Sequence, residues 1–181
     1  SRSNYPMTYF SLASSLNMGY LSLGPNHQRD FQGFSPLIDL ISNSKVVQDL
    51  ERLGYQTISF ASGYLATEMR HFDINYSEDL ICREFSNALL KQTILIAGEC
   101  VGWSLADYLA DLHRRCISWT LATLPYAVNS KDPAFVFAHI LAPHAPFVFK
   151  KDGSARKFNY FDYSDGNYLR RFMDVETYRK Q

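Results

Sequence analysis

The residues that could do chemistry begin with a threonine that follows a proline turn near the start of the chain. Pro6 fixes its own φ and biases Tyr5 away from helix, and Thr8 stands where an N-cap belongs. The residues after Thr8 place a small or apolar stripe on one helical face, which suits packing against a sheet. A hydroxyl at a helix start lies near free N–H groups and the positive end of the helix dipole. These groups stabilise the deprotonated hydroxyl, an alkoxide, and can bind an anionic substrate. Thr8 is therefore either a plain N-cap or a nucleophile for a sulfate or phosphate ester.

A second candidate lies in a proline-flanked loop far along the chain. Residues 133–141 are nearly continuously apolar, which predicts a central parallel strand covered on both faces. Pro143 and Pro146 stiffen the following loop and would hold His144 in one pose at the carboxyl end of that strand, where open α/β sheets place their active sites. An imidazole there can donate to an anionic oxygen or protonate a leaving group, and the alternative is a loop histidine without a role. His139 falls inside the strand pattern, which predicts a core or supporting histidine rather than a ligand.

These two segments resemble the sulfatase-like branch of the alkaline phosphatase superfamily. Residues 3–18 read Ser-Asn-Tyr-Pro-Met-Thr, then Tyr-Phe, then Ser-Leu-Ala-Ser-Ser-Leu-Asn-Met, and are similar to the nucleophile segment of membrane-attached sulfatase-like hydrolases and transferases. Residues 137–147 resemble the strand and Pro-His-x-Pro loop of the same family. The resemblance implies that Thr8 is the catalytic nucleophile, as in lipoteichoic acid synthases and phosphoethanolamine transferases. It implies that His144 binds the substrate or assists the leaving group.

The resemblance also implies a fold and a metal. The fold would be a three-layer α/β/α sandwich with a mostly parallel sheet, in which residues 1–181 form a partial catalytic domain truncated at both ends and residues 64–98 an insertion. Thr8 would share a divalent metal cation with acidic and histidine ligands that this chain lacks. We therefore expect no stably bound metal and no activity for the chain alone. Formylglycine forms from Cys or Ser, so a phospho-threonine intermediate suits Thr8 better than sulfate hydrolysis does.

Asn4, Ser62 and Tyr64 join His144 as predicted substrate-binding residues. In many sulfatases the strand that matches residues 55–60 leads into Gly-Lys-Trp-His, whose Lys and His touch the sulfate. Here it leads into Ala-Ser-Gly-Tyr, so Ser62 and Tyr64 either contact substrate or form a plain strand-to-loop turn. This departure keeps a second hypothesis open, a non-catalytic sulfatase-like module that binds glycan or lipid head groups.

Composition excludes some classes of protein. A hydrophobic fraction of 46% and an aromatic fraction of 15% indicate a globular chain, and 18 basic residues balance 18 acidic ones, so no net field attracts nucleic acid. No run reaches the ~18 apolar residues of a membrane helix, and no signal peptide opens the chain. If the parent protein is membrane-anchored and extracytoplasmic, as the resemblance implies, we expect the anchor outside these residues. Cys82, Cys100 and Cys116 lack metal-type spacing. Their odd count argues against a complete set of disulfides, although a truncated chain can lose a partner cysteine, so we expect buried free thiols.

The remaining pattern predicts the elements that must position these side chains. Residues 35–53 predict a helix or a helix pair, with Ser44 as a candidate N-cap for the second piece. Gly54 is a typical helix stop before a strand, and the succession of helix, glycine and strand indicates a βαβ rhythm and a parallel sheet. The predicted helices cover residues 7–21, 35–53, a segment from Ser77, 104–124 and 168–181, and the predicted strands cover 55–60 and 133–141.

Overall fold

The protein is a mixed α/β chain with a small three-stranded parallel sheet. The computed structural model describes residues 4–21, 35–78, 105–128, 132–144 and 146–157. The chain divides into two compact units, a first unit of Ser1–Ser77 with Tyr126–His139 and a second unit of Glu78–Pro125 with Ile140–Gln181. The predicted helix at 168–181, and all but the first two residues of the one predicted from Ser77, lie outside the described residues.

The sheet of the first unit places its middle strand between two parallel neighbours. The strands are β1 (Gln56–Phe60), β2 (Ile74–Tyr76) and β3 (Ala134–Ala138), in the spatial order β2-β1-β3. Four consecutive residues of β1 are buried, whereas every residue of β3 is only half-buried. The sequence pattern predicted β3 as the central strand, but β1 is the middle strand of the described sheet and the most buried of the three. The parallel pairing is confirmed.

Three short helices pack together in the same unit. They are α1 (Thr8–Leu16), α2 (Ser35–Ser42) and α3 (Lys45–Arg52), so of the two alternatives for residues 35–53, one helix or a pair, the structure has the pair. Their shared core contains Phe10, Ala13, Leu37, Ile41, Val47, Ala66, Met69 and Phe72. The last three of these core residues follow β1 in the chain, so the first part of the predicted insertion belongs to the core of this unit.

The helix α1 ends earlier than the sequence pattern predicts. Met18 adopts a left-handed conformation with φ 54°, and Gly19 N–H donates to the Ser14 carbonyl at 3.2 Å, which is the pattern of a Schellman motif. The Ser14 hydroxyl donates back to the Gly19 carbonyl at 2.7 Å. These bonds satisfy carbonyl groups at the end of the helix and turn the chain away after Leu16.

Gly54 stops α3 and leads the chain into β1, as predicted. Its φ of 81° lies in the left-handed region that glycine enters without a Cβ clash. Tyr55 N–H donates to the Leu50 carbonyl at 3.0 Å, which closes the end of the helix. Pairing with β3 begins one residue later, where Gln56 N–H donates to the Pro133 carbonyl at 2.9 Å.

A side-chain bridge fixes the start of β2 against β1. The Asp73 carboxylate accepts hydrogen bonds from the backbone N–H and the hydroxyl of Thr57, at 2.8 and 2.9 Å. These two bonds stabilise the charged form and hold the pKa of Asp73 below its ordinary value. The strand β2 thus enters the sheet in a fixed register, with Ile74 opposite Ile58.

The second unit contains one long described helix and a short hairpin turn. Helix α4 (Leu105–Thr123) agrees with the prediction, and the guanidinium of Arg114 donates to the carbonyl groups of Val148 and Arg156 at 3.3 and 2.9 Å. Gly153, with φ 80°, closes the turn that pairs Phe149 with Ala155. Among the described residues, no helix has the length and apolar character needed to cross a membrane.

Cys116 of α4 is disulfide-bonded. The prediction that it is a free thiol is therefore wrong, because an odd count of cysteines does not prevent two of the three from pairing. Cys82 and Cys100 lie outside the described residues.

Candidate functional site at the carboxyl edge of the sheet

Helix α1 begins at the predicted nucleophile. Met7, with φ −110° and ψ 139°, is the N-cap, and Thr8 is the first helical residue rather than the N-cap that the sequence predicted. Ser11 N–H donates to the Met7 carbonyl at 3.0 Å, so Met7 accepts the first hydrogen bond of the helix, as an N-cap does. The Thr8 side chain is exposed, and within the described part of the chain its hydroxyl has no hydrogen-bond partner.

Asn4 clamps the turn before α1 onto the helix. Its side-chain amide donates to the Ser14 hydroxyl at 2.8 Å, and its oxygen accepts from the Ser11 hydroxyl at 2.8 Å. The predicted substrate-binding role of Asn4 stays a prediction, and the structure gives this residue a positioning role. Because both ends of the amide hold α1, Asn4 fixes the segment from which Thr8 starts the helix.

The first turn of α1 adjoins the loop that follows β1. The ring of Tyr9 packs edge-on against the ring of Tyr64, with 5.2 Å between the ring centroids. Tyr64 lies four residues beyond the end of β1, at the carboxyl edge that the three parallel strands share. Three of the predicted site residues, Thr8, Ser62 and Tyr64, therefore lie in adjoining segments at the edge where open α/β sheets bind their ligands.

The same edge carries a hydroxyl–imidazole cluster of Ser62, Thr67 and His139. The Ser62 hydroxyl oxygen lies 2.7 Å from Oγ1 of Thr67, and Nδ1 of His139 lies 3.3 Å from the same Oγ1. Thr67 is fully buried, while Ser62 and His139 are half-buried. The ring of Tyr64 lies 5.7 Å from the imidazole of His139, so Tyr64 contacts both this cluster and Tyr9.

Backbone contacts make the loop after β1 rigid. Gly63 has φ 79°, a conformation that favours glycine, and its N–H donates to the Glu68 carboxylate at 3.2 Å. Tyr64 N–H donates to the Ser62 hydroxyl at 3.1 Å. These contacts fix the loop that carries Ser62 and Thr67, whereas His139 reaches the cluster from the end of β3.

Sequence reasoning missed Thr67, which stands in the stretch assigned to an insertion. His139 was predicted to be a core or supporting histidine, and the structure places it directly after β3 with its ring against the loop that follows β1. One signal could have found the cluster. The carboxyl ends of parallel strands meet at one edge, so polar residues that follow two neighbouring strands are candidates for one site.

His144 belongs to the second unit, where it is exposed. Thr8 belongs to the first unit, so the predicted meeting of these two residues at one site stays a prediction. In its own unit His144 lies close enough to His113 to influence that residue's pKa. Burial is the larger cause, and together with the positive charges of His144 and Arg114 it holds the pKa of His113 below its ordinary value.

The described residues do not fit the predicted divalent cation on their own. Among them, no group of three or more His, Cys, Asp or Glu side chains could hold a metal ion. Thr8 alone is an insufficient ligand set, so the metal stays a prediction.

Comparisons of the chain with protein-family models, with curated proteins and with solved structures found no match. Membership of the sulfatase-like family therefore stays a prediction that depends on the two motif segments around Thr8 and His144.

Proposed function

We propose that this chain carries the nucleophile segment of a sulfatase-like hydrolase or phospho-group transferase with an α/β/α sandwich fold of the alkaline phosphatase type. The observation that supports this proposal is the position of Thr8. Its exposed hydroxyl opens α1, and the next residue, Tyr9, packs against the loop at the carboxyl edge of a parallel sheet. An anionic ester bound there would meet both the N–H groups of the helix start and a hydroxyl nucleophile.

The proposed reaction replaces one ester bond with another. The Thr8 oxygen forms a bond to phosphorus as the bond from phosphorus to the leaving alkoxide breaks, and the leaving oxygen takes up a proton. The proton of the Thr8 hydroxyl passes to a base, and water or an acceptor alcohol then releases the phosphoryl group from Thr8. A divalent cation belongs to the proposal through the family resemblance alone, and no step described here passes through it.

The remaining predicted residues have subordinate roles in this proposal. Ser62 and Tyr64 contact the ester at the sheet edge, and Asn4 holds the start of α1. His144 lies in the second unit, and its role in substrate binding or leaving-group assistance enters the proposal through the family resemblance alone. The disulfide of Cys116 supports the extracytoplasmic location that the family resemblance implies, because disulfides persist in oxidising compartments.

The deciding experiment compares Thr8→Ala with Thr8→Ser in the full-length protein, using p-nitrophenyl phosphate and p-nitrophenyl sulfate as substrates. Thr8→Ala should lower turnover by about three orders of magnitude or more, as loss of a nucleophile does in other enzymes. Thr8→Ser keeps a hydroxyl and should retain measurable turnover. Mass spectrometry of rapidly quenched wild-type protein should find a phosphoryl group on the peptide that contains Thr8.

Two results would contradict the proposal in different ways. Turnover that Thr8→Ala leaves unchanged would remove Thr8 from the mechanism. Phosphate binding without turnover of either ester by the wild-type protein would favour the alternative function, a non-catalytic module that binds glycan or lipid head groups.

A further inference from the structure

Glu68 brings a negative charge to the loop that follows β1. Its side chain is half-buried, and its Oε1 accepts the backbone N–H of Gly63 at 3.2 Å. This is the only hydrogen bond of the carboxylate within the described part of the chain, and the ion pairs found there involve other acidic residues. The described residues therefore use only part of the carboxylate's capacity, since its two oxygens can accept about four hydrogen bonds.

The neighbours of Glu68 in the chain hold its carboxylate in place. Thr67 and Met69, on either side of it, are almost completely buried. The Thr67 hydroxyl lies 2.7 Å from the Ser62 hydroxyl, and Gly63 N–H holds the carboxylate itself. A carboxylate that is already fixed loses little freedom when it binds a ligand, so it can contribute more to the affinity than a mobile one.

The position of Glu68 determines which charges it would meet. It is hydrogen-bonded to Gly63, the residue before Tyr64. The ring of Tyr64 packs against Tyr9, which follows the proposed nucleophile Thr8 in the first turn of α1. An anionic ester that binds at this carboxyl edge would lie near a negative charge and be repelled by it. A positive charge on the same ester would be attracted instead, and would offset the cost of a half-buried carboxylate.

We propose that Glu68 binds an ammonium group of the substrate, so that the site selects esters that carry a primary amine beside the phosphate or sulfate group. The ammonium donates to the carboxylate in a charge-assisted hydrogen bond, while the ester group lies at the start of α1. This substrate class rests on the proposed function, but the preference for an amine is a property of binding and is measured without turnover. The amine belongs either to an aminoalkyl head group or to an amino sugar, and both sources share this chemistry.

The test measures the binding of phosphate esters to the full-length protein by isothermal titration calorimetry. The esters form two matched pairs whose members differ by an ammonium group in place of a hydroxyl. One pair is phosphoethanolamine and 2-hydroxyethyl phosphate, and the other is glucosamine 6-phosphate and glucose 6-phosphate. In at least one pair the amine should bind about tenfold more tightly, which is the scale of a hydrogen bond between charged groups. The pair that shows the preference identifies the source of the amine.

Glu68→Gln is the deciding variant, because it keeps a side-chain oxygen for Gly63 N–H and removes only the charge. It should weaken binding of the amine by about tenfold, while the affinity for the hydroxyl member of the pair should stay the same or rise. Glu51→Gln is the matched control, since Glu51 is an exposed acidic residue of α3, and it should leave both affinities unchanged. If Glu68→Gln fails to fold, the comparison within the pairs in the wild type decides.

Equal affinities within both pairs, or no binding of any of these esters, would overturn the proposal. A preference for the amine that Glu68→Gln leaves intact would do the same. The proposed nucleophile is tested separately, because Thr8→Ala should retain the preference for the amine. This preference without Thr8-dependent turnover would keep the ammonium site and remove the proposed reaction, and Thr8-dependent turnover without the preference would do the reverse.

Discussion

The side chain of Asn17 caps a helix to which it does not belong. Its Oδ1 accepts the backbone N–H of Lys45, the first residue of α3, at 3.0 Å. Its Nδ2 donates to the carbonyl groups of Ala13 and Leu40, both at 2.8 Å. One amide side chain therefore joins the end of α1, the helix α2 and the start of α3.

We expect Asn17→Ala to lower the free energy of unfolding by about 2–3 kcal/mol, because three hydrogen bonds of about 1 kcal/mol each are lost. Chemical denaturation of the variant and the wild type measures this difference.

Ser44→Ala is the matched control for Asn17→Ala. Ser44 occupies the N-cap of α3, but its buried hydroxyl makes no capping bond and has no partner among the described residues. The Ser44→Ala substitution should therefore change the free energy of unfolding by less than about 0.5 kcal/mol, whereas loss of an ordinary serine cap costs about 1 kcal/mol. If Ser44→Ala lowered the free energy of unfolding more than Asn17→Ala does, the conclusion that Asn17 rather than Ser44 caps α3 would be wrong.

Ser44 and Asn17 illustrate which parts of the fold can be predicted from the sequence and which cannot. The position of Ser44, the stop at Gly54 and the elements α2, α3, α4 and β1 follow from local chemistry, since turn residues and apolar spacing act within a few residues. The bond from Lys45 to Asn17 joins residues 28 positions apart, and no local pattern encodes it. The early end of α1 is similar, because a left-handed Met18 is not a residue type that marks a helix stop.

In the candidate site, too, some residues could be predicted from local sequence and others could not. Ser62 and Tyr64 could be placed after a strand because β1 has a clear β-branched and aromatic pattern. The contact between Thr67 and His139 spans 72 residues, and it depends on which strands become neighbours in the sheet. Strand order is a property of the whole unit, so the apolar pattern of residues 133–141 predicted a central strand, whereas β1 is the middle one of the strands that the structure describes.

The disulfide of Cys116 predicts how many cysteines have a free thiol before and after reduction. In protein recovered from an oxidising compartment, denatured without reductant, one of the three cysteines should react with a thiol reagent, and all three should react after reduction. Cys116→Ser should lower the free energy of unfolding by about 2–4 kcal/mol, because the unfolded chain gains the freedom that the bridge removed.

The other two cysteines provide the matched comparison for this bridge. Cys82→Ser and Cys100→Ser should differ, since the variant that removes the partner of Cys116 should reproduce the loss of stability and the other should not. Three reactive thiols in the unreduced protein would show that the bridge does not form.

The buried imidazole of His113 predicts how stability depends on pH. Its Nε2 is closed to solvent and has no hydrogen-bond partner among the described residues, and burial is the main reason why its pKa lies below the ordinary 6.5. Below pH 6.5 the unfolded chain therefore binds a proton that the folded protein resists, so the free energy of unfolding should fall as the pH drops from about 7 through the lowered pKa. Above pH 7 this contribution should be complete and constant. Chemical denaturation at a series of pH values measures the slope.

Two variants separate the causes of this dependence. His113→Phe keeps an aromatic ring without a titrating group, so it should flatten the slope between pH 7 and pH 5 relative to the wild type. His144→Gln removes the second cause of the shift, so the pKa of His113, followed by NMR, should rise towards its ordinary value but stay below it, because burial and the charge of Arg114 persist. A slope that His113→Phe leaves unchanged would mean that other groups control the acid stability of the protein. A pKa of His113 that does not respond to His144→Gln would mean that the two imidazoles do not interact in solution.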